Sequence, residues 1–397
     1  MHQNMEPSGF DLSDPIVSYL PQELIQRWLE SDRSDQSHER LLRPYVRYGT
    51  VVCSDSSGLS KLTQNRSLIE VLKLISEPKE IIHSHGKSIG GEAIGIWMAD
   101  NSLMFYPTDI AVQDIVRQMV LAQQQIKTVA VSVGIGLHYG KVYHIGGGLY
   151  GDDAVLIEEF TENESRGEDI IVSAVIKQKL AAPFDQFESY QDMFCLQYKD
   201  LKCQGDEGRD ICYPAPFDQD FQERLRAWDH LNTNITLEEK HQPIESTVAL
   251  VFFYPENNLR LLDRFVQQLD VSHQTKKITS KHGVELLKTN GLLAVFHSAD
   301  SSKVVACTKE LHQVFQSQNF MVNIGVSRGD IMLFDLENER DLAGDAVNLA
   351  SKMAEDSEYR GVAIFDKTVR EEAIRQGITE AFSFSVSRLR LEGVLLR

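Results

Sequence analysis

Short apolar runs alternate along this chain with longer segments of helical periodicity, and the alternation occurs twice. The runs 51-VVCS-54 and 248-VALVFFY-254 read as strands, each followed by a helix near residues 67–85 and 259–272. A β-hairpin pattern follows near 86–106 and 284–297, then a second helix near 109–127 and 300–316. The strands 133-VGIGLHYGKV-142 and 322-VNIGVSRGDI-331 share a G-x-x-x-G spacing, and 151-GDDAVLIEEF-160 and 344-GDAVNLASKM-353 read as matching helices. The segments 170-IIVSAVI-176 and 362-VAIFDKTV-369 each read as a strand feeding a helix. One order, repeated in register, predicts a tandem repeat in which helices pack on a sheet.

Around the repeats, 16-IVSYLPQELIQRWL-29 predicts an amphipathic helix able to brace the first repeat. The pattern divides the chain into a helical segment at 1–45, a first domain at 46–217, a polar linker at 218–245 and a second domain at 246–397. A length of 397 residues suits two cores of ordinary size.

The net charge of −18 removes any general footprint for nucleic acid or an anionic membrane. Anionic ligands then depend on a few placed cations, backbone N–H groups or metals. Five cysteines, odd in number and without a C-x-x-C pair, indicate a reducing compartment and no disulfide or zinc framework. The polar, acidic N-terminus does not read as a signal peptide, and no stretch has the length of a membrane span, so the expected location is cytoplasmic. No protein partner is named by the sequence. The segment 136-GLHYGKV-142 is only superficially similar to a phosphate-binding loop, since its first glycine is misplaced and Val142 stands where Ser or Thr belongs.

With 53-CSDSSGLSKLT-63, 87-KSIGGEAIGIW-97 and 347-VNLASKM-353 in this order, the chain resembles the class III nucleotidyl cyclases, and most of all the soluble type of adenylyl cyclase with two cyclase homology domains in tandem. The resemblance implies an α+β fold of two ferredoxin-like domains packed head to tail as an intramolecular pseudo-dimer. It implies conversion of ATP to cyclic AMP and pyrophosphate at the domain interface, with Mg²⁺ or Mn²⁺ as cofactor. In that chemistry metals neutralise charge and hold an in-line geometry.

Carried over residue by residue, the resemblance makes Asp55 the first metal carboxylate. Gapless matching puts Gly91 at the second acidic position, and a one-residue shift brings Glu92 there. Lys288 and Asp341 match the pair that reads the purine, a donor and an acceptor that select adenine over guanine. Asn348 matches the ribose-orienting Asn. Lys352 takes the place of an Arg and keeps the charge without the bidentate fork. The converse site pairs Tyr254-Pro255 with Ser54-Asp55, Asn290 with the second acid, and Gly148, Val155 and Glu159 with Asp341, Asn348 and Lys352. It therefore reads as degenerate. In the family such a pocket can take a small regulator such as bicarbonate, and Lys87 would hold it. The altered positions at Gly91 and Lys352 imply an alternative function: a catalytically impaired homologue that binds ATP or another nucleotide as a sensor or as a regulatory or structural subunit.

Overall fold

The computed structural model describes residues 21–57, 68–94, 102–199, 201, 243–254, 259–289, 291–318, 320–336, 339–355, 357–386 and 389–397. The chain divides into two compact units, one of Leu42–Arg224 and one of Met1–Leu41 with Leu225–Arg397.

In the first repeat, β1 (Val46–Ser57) leads to α3 (Leu68–Ser88), the hairpin strands β2 (Glu92–Ile94) and β3 (Ser102–Pro107), and α4 (Val112–Ile126). Then come β4 (Ser132–Ile145), β5 (Gly148–Tyr150), α5 (Asp152–Glu164), β6 (Ile170–Val172), α6 (Ala174–Gln178), β7 (Phe187–Tyr190) and β8 (Met193–Leu196). The strands form one sheet in the order β2-β3-β1-β4-β6-β8-β7, with β5 hydrogen-bonded to β4. Alternation along β1 divides its side chains between two cores. Val52 joins Ile81, Ile82, Ile115 and Met119 beneath α3 and α4. Val51 and Cys53 join Ala154 and Ile157 of α5 on the opposite face.

The second repeat has the same order. It runs β9 (Ile244–Tyr254), α7 (Leu261–His282), β10 (Glu285–Thr289), β11 (Leu293–Ser298), α8 (Ser301–Ser317), β12 (Met321–Leu336), β13 (Glu339–Ala343) and α9 (Asp345–Glu355). It ends in β14 (Ala363–Asp366), α10 (Arg370–Arg375), β15 (Glu380–Val386) and β16 (Leu389–Leu396). Its sheet order, β10-β11-β9-β12-β14-β16-β15 with β13 on β12, matches the first strand for strand. Ala249, Val251 and Phe253 of β9 pack under α7 and α8, and Val248 and Leu250 face α9 through Ala346 and Ala350.

The first glycine of each G-x-x-x-G has a packing cause. A Cβ at Gly325 would strike the Ala350 carbonyl of α9, and one at Gly136 would strike the Thr161 hydroxyl and Ile157 of α5. The glycine lets the helix cross its strand at backbone distance.

Two helices precede the repeats, α1 (Gln22–Leu29) and α2 (Asp35–Leu42). Their partner corrects the sequence reading. Up to Leu41 they belong to the unit of the second repeat, where α1 lies along α7 and α2 bonds its start. Residues 202–242, which include most of the expected linker and the run 211–217, fall outside the described residues, as do 16–20.

Candidate functional site

The ladders of the two sheets fix which residues correspond. Across the first sheet Gly136 pairs with Cys53, Cys53 with Leu103, and Leu103 with Ile94. Across the second, Gly325 pairs with Leu250, Leu250 with Val295, and Val295 with Lys288. Lys288 therefore corresponds to Ile94, a buried core residue. Lys87 lies elsewhere, exposed in the last turn of α3, where a cation complements the helix dipole. The expectation that Lys87 holds bicarbonate in the degenerate site loses its geometric basis. By the same ladders Asp55, paired with Gly134, corresponds to Phe252, paired with Asn323, and not to Pro255. Gly148 and Asp341 do occupy one position, paired with Ile145 and Phe334 respectively.

In the first repeat Asp55 is half-buried near the end of β1, two residues beyond Cys53 and hence on the α5 face. Glu92 is on that face too, but far along it. It pairs with Phe105, which pairs with Val51. Four residues of β1 then separate its level from Asp55, roughly 13 Å at 3.3 Å per residue. The Glu92 carboxylate is engaged bidentately by Arg47, with Nη1–Oε2 2.6 Å and Nη2–Oε1 2.8 Å. Arg47 lies 4.3 Å above the Phe105 ring, and its Nη1 is 3.2 Å from His144 Nδ1. The Arg47 hydrogen bonds hold the Glu92 carboxyl below the usual glutamate range. Glu92 is thus committed to an ion pair and does not join Asp55, which corrects its assignment as the second metal ligand.

Gapless matching failed because the strand that pairs with β1 starts only at Ser102, opposite Ser54. Between Ile94 and Ser102 the sequence is GIWMADN, whose single acidic residue is Asp100. It stands two residues before the partner of Ser54, itself the neighbour of Asp55, and lies outside the described residues. Among the described residues no three His, Cys, Asp or Glu side chains cluster as a metal would require. Asp55 alone does not make a two-metal centre, and Glu92 does not complete it.

The second repeat carries its four candidates on β10, β13 and α9. Lys288 sits just after a bulge in β10 and pairs with Val295 of the α9-side core. Its neighbour Thr289 faces the other way, toward Ser272 of α7, so Lys288 projects to the α9 side of the sheet. The strand β13, which carries Asp341, lies alongside β10 and against α9. On α9 the residues Ala346, Ala350, Met353 and Ala354 are buried, which leaves Asn348 exposed and Lys352 half-exposed one turn apart on the outward face. The Asn348 backbone N–H donates to the Gly344 carbonyl at 3.0 Å. Gly344 has φ of 145°, a turn open to glycine that sets the start of the helix. Lys288 thus shares one side of the sheet with the helix that carries Asn348 and Lys352.

The equivalent helix in the first repeat has the opposite chemistry. Val155 stands in the place of Asn348 and Glu159 in the place of Lys352. Burial, with the charges of Glu162 and Glu159, pushes the neighbouring Glu158 carboxyl up to about 7. A helix carrying Glu158, Glu159 and Glu162 repels a polyphosphate.

No family model and no curated protein sequence matches the chain. Among solved structures it is similar to a class III adenylyl cyclase-like ATP-binding protein from Pseudomonas aeruginosa, with a TM-score of 0.54 at 11% identity over 83% of this chain and 85% of that one. Over 39% of this chain and 95% of the other it matches the adenylyl cyclase CyaB from P. aeruginosa, TM-score 0.33 at 17% identity. Over 38% and 94% it matches the guanylate cyclase domain of RhGC from Catenaria anguillulae in complex with GTP, TM-score 0.33 at 14% identity. Two sheets of one topology, and a neighbour that spans most of the chain, give this protein a class III cyclase-like fold.

Proposed function

From a class III cyclase-like fold present twice in one chain, we propose that this protein binds an adenine nucleotide through its second repeat. What supports the reading is the place of Lys288 on the α9 side of its sheet, with the strand β13 that carries Asp341 alongside β10 and the helix α9 that carries Asn348 and Lys352 on the same side. In it the Lys288 ammonium donates to purine N1 and the Asp341 carboxylate accepts from the 6-amino group, a pair that guanine cannot satisfy. Asn348 orients the ribose and Lys352 faces the phosphates as a point charge. The neighbour that spans most of the chain is described as ATP-binding, which supports the choice of nucleotide.

A second reading, adenylyl cyclase, is favoured by the place of Asp100 in the sequence. There the acidic pair is Asp55 with Asp100, in place of Asp55 with Glu92. The ribose 3′-oxygen bonds to the α-phosphorus, the α–β bridging bond breaks, pyrophosphate leaves and the hydroxyl proton passes to water. Since the described carboxylates do not build a two-cation centre, no step is assigned to Mg²⁺ or Mn²⁺.

One assay separates the two. Purified protein is given ATP with Mn²⁺, and both nucleotide affinity and cyclic AMP are measured. Binding lost in Lys288→Ala and Asn348→Ala, with no cyclic AMP formed, establishes the nucleotide-binding protein. Cyclic AMP abolished by Asp55→Ala and by Asp100→Ala, and retained by Glu92→Gln, establishes the cyclase. Absence of binding to any nucleotide removes both.

A further inference from the structure

The strand that presents Lys288 carries one residue more than the matching ladder of the first repeat. In the first repeat Glu92, Ala93 and Ile94 pair with Phe105, Met104 and Leu103 without a break. In the second, Glu285 and Leu286 pair with His297 and Phe296, and the ladder resumes with Lys288 on Val295 and Thr289 on Ala294. Leu287 is left over, at a β-bulge where two residues of one strand oppose one of the other. Since Val295 and Leu103 are equivalent, Glu285 answers to Glu92, Leu286 to Ala93 and Lys288 to Ile94. Leu287 has no counterpart.

Leu287 nevertheless fills the place of Ile94. Ile94 is 7% exposed and joins Val51, Cys53 and Phe105 under Ala154 and Ile157 of α5. Leu287 is 8% exposed and joins Val248, Leu250 and Val295 under Ala346 and Ala350 of α9. In a regular strand, neighbours point to opposite faces. A lysine on the α9 side would then itself have to fill the Ile94 place, where apolar surroundings strongly disfavour an ammonium. The bulge re-aims the strand and turns two successive residues toward one side. Leu287 enters the core, and Lys288 stays half-buried at its margin.

Beyond the bulge the hairpin is pinned from the other face. Thr289 Oγ1 lies 3.3 Å from Ser272 Oγ of α7 and accepts the Gly291 N–H at 3.4 Å. Gly291 has φ of 78°, and a Cβ there would collide with the backbone of Gln268. Lys288 thus sits between a leucine fixed in one core and a threonine fixed to a helix on the opposite side.

We propose that Leu287 is a positioning residue: as the extra residue of β10 it takes the core place that Ile94 fills in the first repeat, and so holds Lys288 outward toward a nucleotide. The inference rests on the reading of the second repeat as a nucleotide site and deepens it, because the site then needs the length of β10 as well as its lysine.

The test reads the placement of position 288 and nucleotide binding separately. Deleting Leu287 leaves the pairs on either side of the bulge in register and puts Lys288 in the Ile94 place. Placement is read on Lys288→Cys, with and without the deletion, from the rate of iodoacetamide alkylation at that position in peptide mass spectra. The deletion slows alkylation roughly tenfold or more, because a thiol in apolar surroundings is shielded and kept protonated. Binding is read by calorimetric titration with ATP. The deletion weakens it as far as Lys288→Ala does, roughly 10- to 100-fold, while Leu287→Met stays within about twofold of the parent. Leu287→Ala keeps the chain length and serves where the deletion does not fold; it slows alkylation and weakens ATP binding by roughly threefold or more. Unchanged alkylation overturns the proposal. So does ATP affinity that survives the loss of Leu287 but not Lys288→Ala, even where the melting temperature falls. ATP affinity retained in Lys288→Ala removes the nucleotide reading instead, and the alkylation rates still decide whether Leu287 places residue 288.

Discussion

Individual side chains carry the sharpest expectations. Glu92 and Asp55 lie on one face of one sheet, yet Arg47 has taken the Glu92 carboxylate and four residues of strand separate the two levels. Glu92→Gln therefore leaves ATP affinity within about twofold of the parent and lowers stability by about 1 kcal/mol, the scale of a partly exposed ion pair; calorimetric titration and a urea melt check both halves. In the second repeat, Lys288→Ala weakens ATP binding roughly 10- to 100-fold, and Asp341→Asn reduces the preference for ATP over GTP, read by competition. Burial and the charges of Lys79 and Lys87 depress the His83 imidazole to about 3. Its folded value lies below the unfolded one, so its contribution is complete above pH 6.5 and is lost as acid protonates the unfolded chain first. Stability falls by about 3 kcal/mol between pH 7 and pH 4, and urea midpoints of His83→Gln are flatter over that window. Glu158 has the opposite sign. Its raised value makes its contribution complete below pH 4.5 and lost as pH climbs through about 7, so Glu158→Gln stabilises the protein at pH 8 and not at pH 4.

At the level of elements, the helix that crosses each sheet decides how much sequence drift is tolerated. Gly325 meets a backbone carbonyl of α9, which cannot swing aside, and Gly136 meets side-chain atoms of Thr161 and Ile157, which can. Gly325→Ala should cost about 3 kcal/mol in a urea titration and Gly136→Ala about half of that. These elements were legible in the sequence because each repeats a pattern with a cause. The G-x-x-x-G strand recurs where a helix crosses closely, and the helices near 109–127 and 300–316 carry the apolar spacing of α4 and α8. The hairpin of the first repeat was not legible in the same way. Its strands are short, β2 having three residues, and an apolar run between them disguises where pairing ends. Matching by the conspicuous Lys87 put a helix end in the place of a strand. Lys288, Asp341 and Asn348 could be singled out because β10, β13 and α9 keep the motif spacing, and that Lys288 shares a side of the sheet with α9 became visible only through strand register.

In the whole molecule, two cores share a topology but not a chemistry. The second repeat exposes Asn348 and Lys352 on its crossing helix, and the first exposes Val155 and Glu159 in the same places. Asymmetry of this kind was readable from composition at those positions, given the repeat. The partner of the N-terminal helix was not, since amphipathic spacing shows that 22–29 needs a surface and says nothing of which surface. Trp28→Ala should remove roughly 3–5 kcal/mol from the second repeat while the first keeps its stability. Hydrogen exchange would show this as lost protection in α7 with none in α4.

The contact between Trp28 and Asp263 joins residues 235 positions apart. On the ribosome, where chains grow by about 5–20 residues per second, the tryptophan emerges roughly 12–47 s before the aspartate that receives it. During that interval the leading helices hold a bare apolar stripe while everything behind them is still being translated. The leading helices thus wait for their partner far longer than any contact between neighbouring elements does.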